Sequence, residues 1–340
     1  MSSREKDVFS RSGPFRLSSD PIDWTDPEQR RAVVASLVRG VGAMERDRQE
    51  GREGLQALAP AWWQSFSFKL LEKLTEHGGA IYGAIYRFCP DGLQSPNNGP
   101  NYVVAFRGTN TGKESLGRDM KYNLMCLGDN LDRTSRFKSA VERVQCLVHA
   151  PGAADVWLAG HSLGSAMAMA VGKAMARSGY PLEAYLFNPP FVSLPVEHIK
   201  IQKLRQTVHI VTSVFKSSLA VILKGATDRP LEDPHFAALS DWLPHIFVNK
   251  NDPICSGYVG YFSSRRNMEE IGAGEMGRIA TQNTIGSLIM RRFKPHDTLP
   301  SAHLTINSSC YSNVREAHSV KQWWDSRAQF ERSTHRLRCS

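Results

Sequence analysis

Three features of the sequence predict an α/β fold with a mostly parallel sheet and helices on both of its faces. Short runs rich in β-branched and aromatic residues stand at residues 80–88, 102–106, 156–159, 184–187 and 245–248. They are nearly continuous in apolar character instead of alternating with polar residues, which is the pattern of strands buried on both faces. Segments of helical spacing separate them, notably Phe137, Val141, Val144 and Val148, and strands alternating with helices build parallel sheets. The 340 residues are 41% hydrophobic and 22% charged. That composition suits one large core and excludes disordered, collagen-like and coiled-coil classes.

Taken in order, residues 1–20 are polar, without apolar period, and are expected to be flexible. Asp26-Pro27-Glu28 then offers an N-cap, a proline at the first helical position and an early acid. Val34, Leu37, Val38, Val41 and Met44 follow on one stripe, so an amphipathic helix of about six turns is expected. Residues 62–76 are expected to form a second helix, completing a helical extension over about 21–79. Loops rich in Gly, Pro and Asn punctuate residues 90–101 and 188–190. Residues 190–244 interrupt the alternation and are expected to be a cap insertion, its Val/Ile-rich stretch being core or acyl-chain lining. One domain is thus expected over 21–326, with a flexible tail at 327–340.

The net charge is +9, which raises nucleic-acid and acidic-membrane partners. Its distribution argues otherwise. Residues 1–60 carry ten basic and ten acidic side chains, residues 261–340 twelve and seven, and no run of five like charges occurs. A solvated basic surface is expected, no nucleic acid, and at most weak peripheral membrane contact. The N-terminus lacks the apolar stretch of a secretory signal, Ser2 stands where myristoylation needs Gly, and residues 208–223 are too short and too interrupted to span a bilayer. Six cysteines show neither C-x-x-C spacing nor a histidine at zinc spacing. Reduced thiols in an intracellular, cytoplasmic protein are therefore expected; oligomeric state is not legible.

The strongest chemical signal is Ala159-Gly160-His161-Ser162-Leu163-Gly164-Ser165. A predicted strand enters it and the small-residue helix Ala166-Met167-Ala168-Met169-Ala170 leaves it, the context in which a tight turn forces a serine into strained geometry and presents it as a nucleophile. Such a serine needs a base, an orienting acid and an oxyanion hole. Asp252, 90 residues later and just past the predicted strand at 245–248, is the candidate acid. Of the histidines beyond it, His318 is the candidate general base, 66 residues after Asp252, at the mouth of a predicted final helix. His303, within a strand-like stretch, is the alternative base. Backbone N–H groups of Thr109, after the strand at 102–106, and of Leu163 are the candidate oxyanion donors.

Phe106-Arg107-Gly108-Thr109, Gly160-His161-Ser162-Leu163-Gly164 and Val248-Asn249 leading to Asp252-Pro253-Ile254 resemble the lipase class 3, or fungal-type triacylglycerol lipase, family of α/β-hydrolases. The match covers about residues 80–255. Met44-Glu45-Arg46-Asp47-Arg48, Asn188-Pro189-Pro190-Phe191 and residues 317–324 further resemble a plant branch whose members are called lipase-like or GDSL esterase/lipase. The resemblance implies an α/β-hydrolase fold and hydrolysis of a lipid or acyl ester by Ser-Asp-His acyl transfer, with no cofactor and no metal. The GDSL label sits poorly on a chain with only Gly128-Asp129-Asn130, and residues 110–122 are too polar for the apolar lid of the secreted fungal members. A catalytically inactive hydrolase-fold protein that binds a lipid or protein partner stands as the alternative.

Two other motifs fail their context. Gly272-Ala273-Gly274-Glu275-Met276-Gly277 matches a dinucleotide fingerprint, with Asp297 twenty residues on, but no buried strand precedes it. The stretch at 108–113 is one residue short of a phosphate-binding loop and is followed by Glu114 where Ser or Thr is needed. The Trp62-Trp63 and Trp323-Trp324 pairs read as packing anchors.

Overall fold

A computed structural model describes residues 22–58, 61–90, 99–108, 134–150, 155–191, 234–270, 299–325 and 327–337. They form an α/β-hydrolase fold around one eight-stranded sheet whose strands lie side by side in the order in which they occur along the chain. The strands are β1 (Phe68–Thr75), β2 (Ile81–Phe88), β3 (Tyr102–Phe106), β4 (Val156–His161), β5 (Ala184–Phe187), β6 (His245–Asn249), β7 (Ala302–Asn307) and β8 (Phe330–His335). Strands β3 to β7 run parallel, and β1, β2 and β8 complete the sheet with antiparallel pairings.

This order dictates where the helices go. Crossovers between parallel strands are right-handed, so a series that always steps in the same direction drops every connecting helix on the same face. Helices α2 (Ser135–His149), α3 (Leu163–Arg177), α4 (Pro234–Asp241) and α5 (Gly257–Glu270) accordingly share one core with Val104, Phe106, Leu158, Leu186, Ile246 and Val248. The alternate strand residues, Val103, Ala105, Trp157, Ala159, Tyr185, Phe187 and Phe247, point to the opposite face. That face is covered from the two ends of the chain: by α1 (Pro27–Gln49), by Trp63 and Phe66 of a 3₁₀ turn, and by Trp323 of a C-terminal 3₁₀ turn (Val320–Trp324).

Helix α1 starts where its capping signal predicts, the Asp26 carboxylate accepting the Glu28 N–H at 2.8 Å. Thr134 caps α2 in the same way through the Phe137 N–H at 3.1 Å. Among the described residues no helix is long and apolar enough to cross a membrane.

Three expectations change. The helix expected at 62–76 is instead a 3₁₀ turn (Trp62–Phe66) followed by β1. Its register steps from Leu70↔Tyr86 to Glu72↔Ile85, so Leu71 is an extra, half-exposed residue on a bulge. Adjacent Leu70 and Leu71, only the first facing the core, make a strand of alternating burial look helical in the sequence. The tail expected at 327–340 contains β8, an edge strand that pairs with β7 and seats Phe330 on Trp323. Within the expected cap insertion, residues 234–244 belong to the core layer, with Leu239 and Trp242 buried and the Trp242 indole donating to the Leu182 carbonyl at 2.7 Å. Residues 192–233 lie outside the described residues, as do 1–21, the polar stretch at 110–122, Gly128-Asp129-Asn130 and the glycine-rich stretch at 272–277.

The bulged-strand assignment makes a specific demand on stability. Phe68→Ala should cost about 3–5 kcal/mol, the loss expected for a buried phenylalanine. Leu71→Ala should change stability by less than about 0.5 kcal/mol, as for an ordinary surface position. Equal losses in denaturant titrations of the two variants would overturn the assignment.

Candidate active site

The chain turns sharply where β4 meets α3. Ser162 holds φ 56° and ψ −124°, a conformation strained for a residue with a side chain. The turn is sustained from several sides. The Ser162 N–H donates to the Phe187 carbonyl at 2.9 Å, and the Ser165 hydroxyl lies 2.7 Å from the carbonyl oxygens of Gly160 and Phe187. The two motif glycines are there for space. A Cβ on Gly160 would meet the Gly164 carbonyl oxygen at 2.1 Å, and one on Gly164 would meet the Phe106 carbonyl oxygen at 2.3 Å. Packing this close also brings the end of β3 against the serine turn.

Asp252 sits in the turn after β6, its Oδ1 accepting the Ile254 N–H at 3.0 Å. His318 lies between a short helix α6 (Val314–Ala317), capped by Asn313, and the turn at Val320–Trp324. The single continuous helix expected there is therefore two pieces. His318 Nε2 is 2.9 Å from Ser162 Oγ and Nδ1 is 2.7 Å from Asp252 Oδ2. All three side chains are buried, Asp252 completely. Ser162, His318 and Asp252, chosen from the sequence, are thus brought into one hydrogen-bonded line. Leu163 follows as the first residue of α3, where backbone N–H groups have no acceptor within the helix. Thr109, His296 and Asp297 lie outside the described residues.

His303 is not brought to this line. It lies near the start of β7, whereas Asp252 and Ser162 follow the carboxyl ends of the parallel strands. Its Nδ1 is 2.9 Å from Thr334 Oγ1, and its ring stacks on His245 with centroids 4.9 Å apart. Among the described residues no three His, Cys, Asp or Glu side chains converge as a metal site requires.

The surroundings set the charge states. Burial pushes the Asp252 carboxyl up, but the hydrogen bond and charge of His318, the Asn188 amide at 2.7 Å and the Cys255 thiol at 3.1 Å outweigh it, leaving the pKa below the usual carboxylate value. The Cys255 thiol is raised well above its ordinary value by its burial and by Asp252, so it stays protonated and serves as a donor. His161, beside Ser162, is pushed down to about 3 by burial and by the neighbouring His318 ring. It is neutral at physiological pH, and its Nε2–H donates to the His318 carbonyl at 2.7 Å.

Sequence reasoning passed over Asn188, Asn249, Asn307 and Gln322, all buried behind this line. A signal was present: the apolar runs of β5, β6 and β7 each end in asparagine.

A protein of Arabidopsis thaliana named GDSL esterase/lipase is 41% identical to the chain over 341 residues, covering 96% of this chain and 97% of the relative. The chain belongs to that esterase/lipase family. It is a carboxylic ester hydrolase. No family model matches the chain. In this enzyme the strained serine stands in Gly-His-Ser-Leu-Gly, at the strand-to-helix turn.

His161 gives the enzyme a pH signature. A histidine whose pKa is depressed in the folded state is held neutral there and charges only on unfolding, so its stabilising share is present above pH 6.5 and is lost as pH falls towards about 3. His161→Gln should flatten the decline in melting temperature between pH 6.5 and 4.5 relative to wild type. Parallel curves would show that His161 charges equally in both states.

Proposed function

We propose that the enzyme hydrolyses lipid or other acyl esters by two-step acyl transfer, with Ser162 as nucleophile, His318 as general base and Asp252 as the acid that orients it. The hydrogen-bonded line from Ser162 Oγ through His318 to Asp252, ending on a strained strand-to-helix turn, carries this reading. His318 Nε2 takes the serine proton as Oγ attacks the ester carbonyl. Asp252 accepts the Nδ1–H and stabilises the imidazolium that forms. The proton then passes to the leaving alcohol, and the same base activates water to release the acid.

Charge developing on the carbonyl oxygen is assigned to the backbone N–H groups of Leu163 and Thr109. Gly108, immediately before Thr109, supports that assignment: a Cβ placed on it would lie 3.0 Å from Ser162 Cβ and from the His161 carbonyl oxygen. The Arg107 guanidinium holds this segment from behind, donating to the Ile81 carbonyl at 2.5 Å and the Gly108 carbonyl at 2.8 Å. The acyl or lipid substrate class and membership in the lipase class 3 group rest on the motif resemblance, and no step requires a cofactor.

A fluorophosphonate probe should label the wild-type protein on Ser162 and leave Ser162→Ala unlabelled; equal labelling of both would refute the nucleophile. His318→Ala should lower kcat on a short-chain ester by about 10³-fold or more, and near-normal turnover would remove His318 from the mechanism. Rates across nitrophenyl esters of increasing chain length should rise beyond acetate if the acyl group is a lipid chain. An optimum at acetate would point to a small soluble ester instead.

A further inference from the structure

We infer that Gln322 is a positioning residue for the base, fixing the backbone on both sides of His318 while His161 fixes the carbonyl of His318 itself. The inference rests on the assignment of His318 as base. Three consecutive carbonyls around that residue are each held by a side chain, those of Gln322 and Asn188 buried and that of His161 partly so. The Ala317 oxygen accepts from Gln322 Nε2 at 2.6 Å and from Asn188 Nδ2 at 3.2 Å. The His318 oxygen accepts from His161 Nε2 at 2.7 Å. The Ser319 oxygen accepts again from Gln322 Nε2, at 3.0 Å. One amide nitrogen thus clasps the residues before and after the base.

Gln322 is itself held in one orientation. Its Oε1 accepts from Asn249 Nδ2 at 2.7 Å and from Asn307 Nδ2 at 3.0 Å. The orientation of those asparagines follows from unambiguous backbone donors, since Asn249 Oδ1 accepts the Asn251 N–H at 2.8 Å and Asn307 Oδ1 accepts the Ser309 N–H at 2.9 Å. Two donors therefore face Oε1 and two carbonyls face Nε2, and a flipped amide would oppose like groups at all four contacts. Asn188 closes the arrangement, its Oδ1 accepting the Trp323 indole N–H at 2.8 Å while its Nδ2 reaches Asp252 Oδ2. The ends of β5, β6 and β7 are in this way coupled to the segment that carries His318. The segment has little regular structure of its own, a four-residue helix and a 3₁₀ turn, so these side chains supply the rigidity that an imidazole needs to stay within hydrogen-bonding distance of Ser162. A displacement of about 1 Å at a reacting group can cost about 100-fold in rate.

The test separates positioning from folding by counting working sites. Wild type, Gln322→Met, His161→Leu, His161→Gln and His318→Ala are titrated to completion with a fluorophosphonate, and kcat for a short-chain ester is expressed per labelled Ser162. Gln322→Met should lose about 10- to 100-fold in kcat per site with KM changed less than about threefold. His161→Leu should lose rate in the same way, and His161→Gln, whose amide nitrogen can reach the same carbonyl, should recover most of that loss. A structural defect alone would lower the number of labelled sites and leave the rate per site at the wild-type value, which would overturn the inference. So would equal losses in His161→Leu and His161→Gln, a comparison that stands even if Gln322→Met fails to fold. Full activity in His318→Ala would instead refute the base assignment on which the inference rests.

Discussion

A sheet built strand after strand in chain order has a direction, and right-handed crossovers stepping that way commit all the connecting helices to one face. The other face, lined by Trp157, Tyr185, Phe187 and Phe247, must be covered by chain that precedes or follows the parallel strands. Helix α1 and the C-terminal segment meet that need, and they also bond to one another, Arg31 Nε donating to the Trp323 carbonyl at 2.7 Å. Trp323 is wholly buried there against Phe187 and Phe247. Covering the bare face is therefore the same act that brings residues 313–325, and His318 with them, to the carboxyl ends of the strands.

At that edge the fold resolves a conflict between burial and polarity. Asp252, Asn188, Asn249, Asn307 and Gln322 are nearly or fully removed from water, and a buried polar group is costly unless its bonds are made. They make them with each other, with backbone amides and with the Trp323 indole. A network satisfied this completely specifies one arrangement and penalises any other. Arg107, Glu45 and the Ile81 backbone play a comparable part beneath the turn after β3, where the buried Glu45 carboxylate accepts the Ile81 N–H at 2.8 Å.

Legibility in the sequence followed the way each element is stabilised. The central strands could be read because burial on both faces leaves them nearly continuous in apolar residues, α1 because its cap and stripe are local, and α2 because its stripe is. Strand β1 was misread because its alternating burial is not matched by its residues, with Leu71 apolar at an exposed position and Glu72 charged at a half-buried one. Strand β8 was overlooked because an edge strand is held by backbone pairing and shows polar side chains such as Glu331, Arg332 and Ser333. Ser162 announced itself through the glycines its turn requires, and Asp252 through its place after a strand. His318 could be ranked above His303 by context, at the mouth of a predicted helix instead of within a strand-like stretch. The amide network was missed because its members are spread over positions 188 to 322, and the asparagines that end β5, β6 and β7 connect only once those strands are known to be neighbours.

The distance along the chain between Ser162 and His318 has a consequence for the protein during its own synthesis. The hydrogen bond between them closes a span of 156 residues, and the covering segment with Trp323 and β8 is made well after the serine turn. Until it is made, the strand-to-helix turn can form but the serine has no imidazole beside it, and Phe187 and Phe247 lack the cover of Trp323. The Ser162–His318 hydrogen bond and the burial of Trp323 on that face are acquired together, so a chain truncated before residue 318 keeps the strained serine turn but has no imidazole beside it.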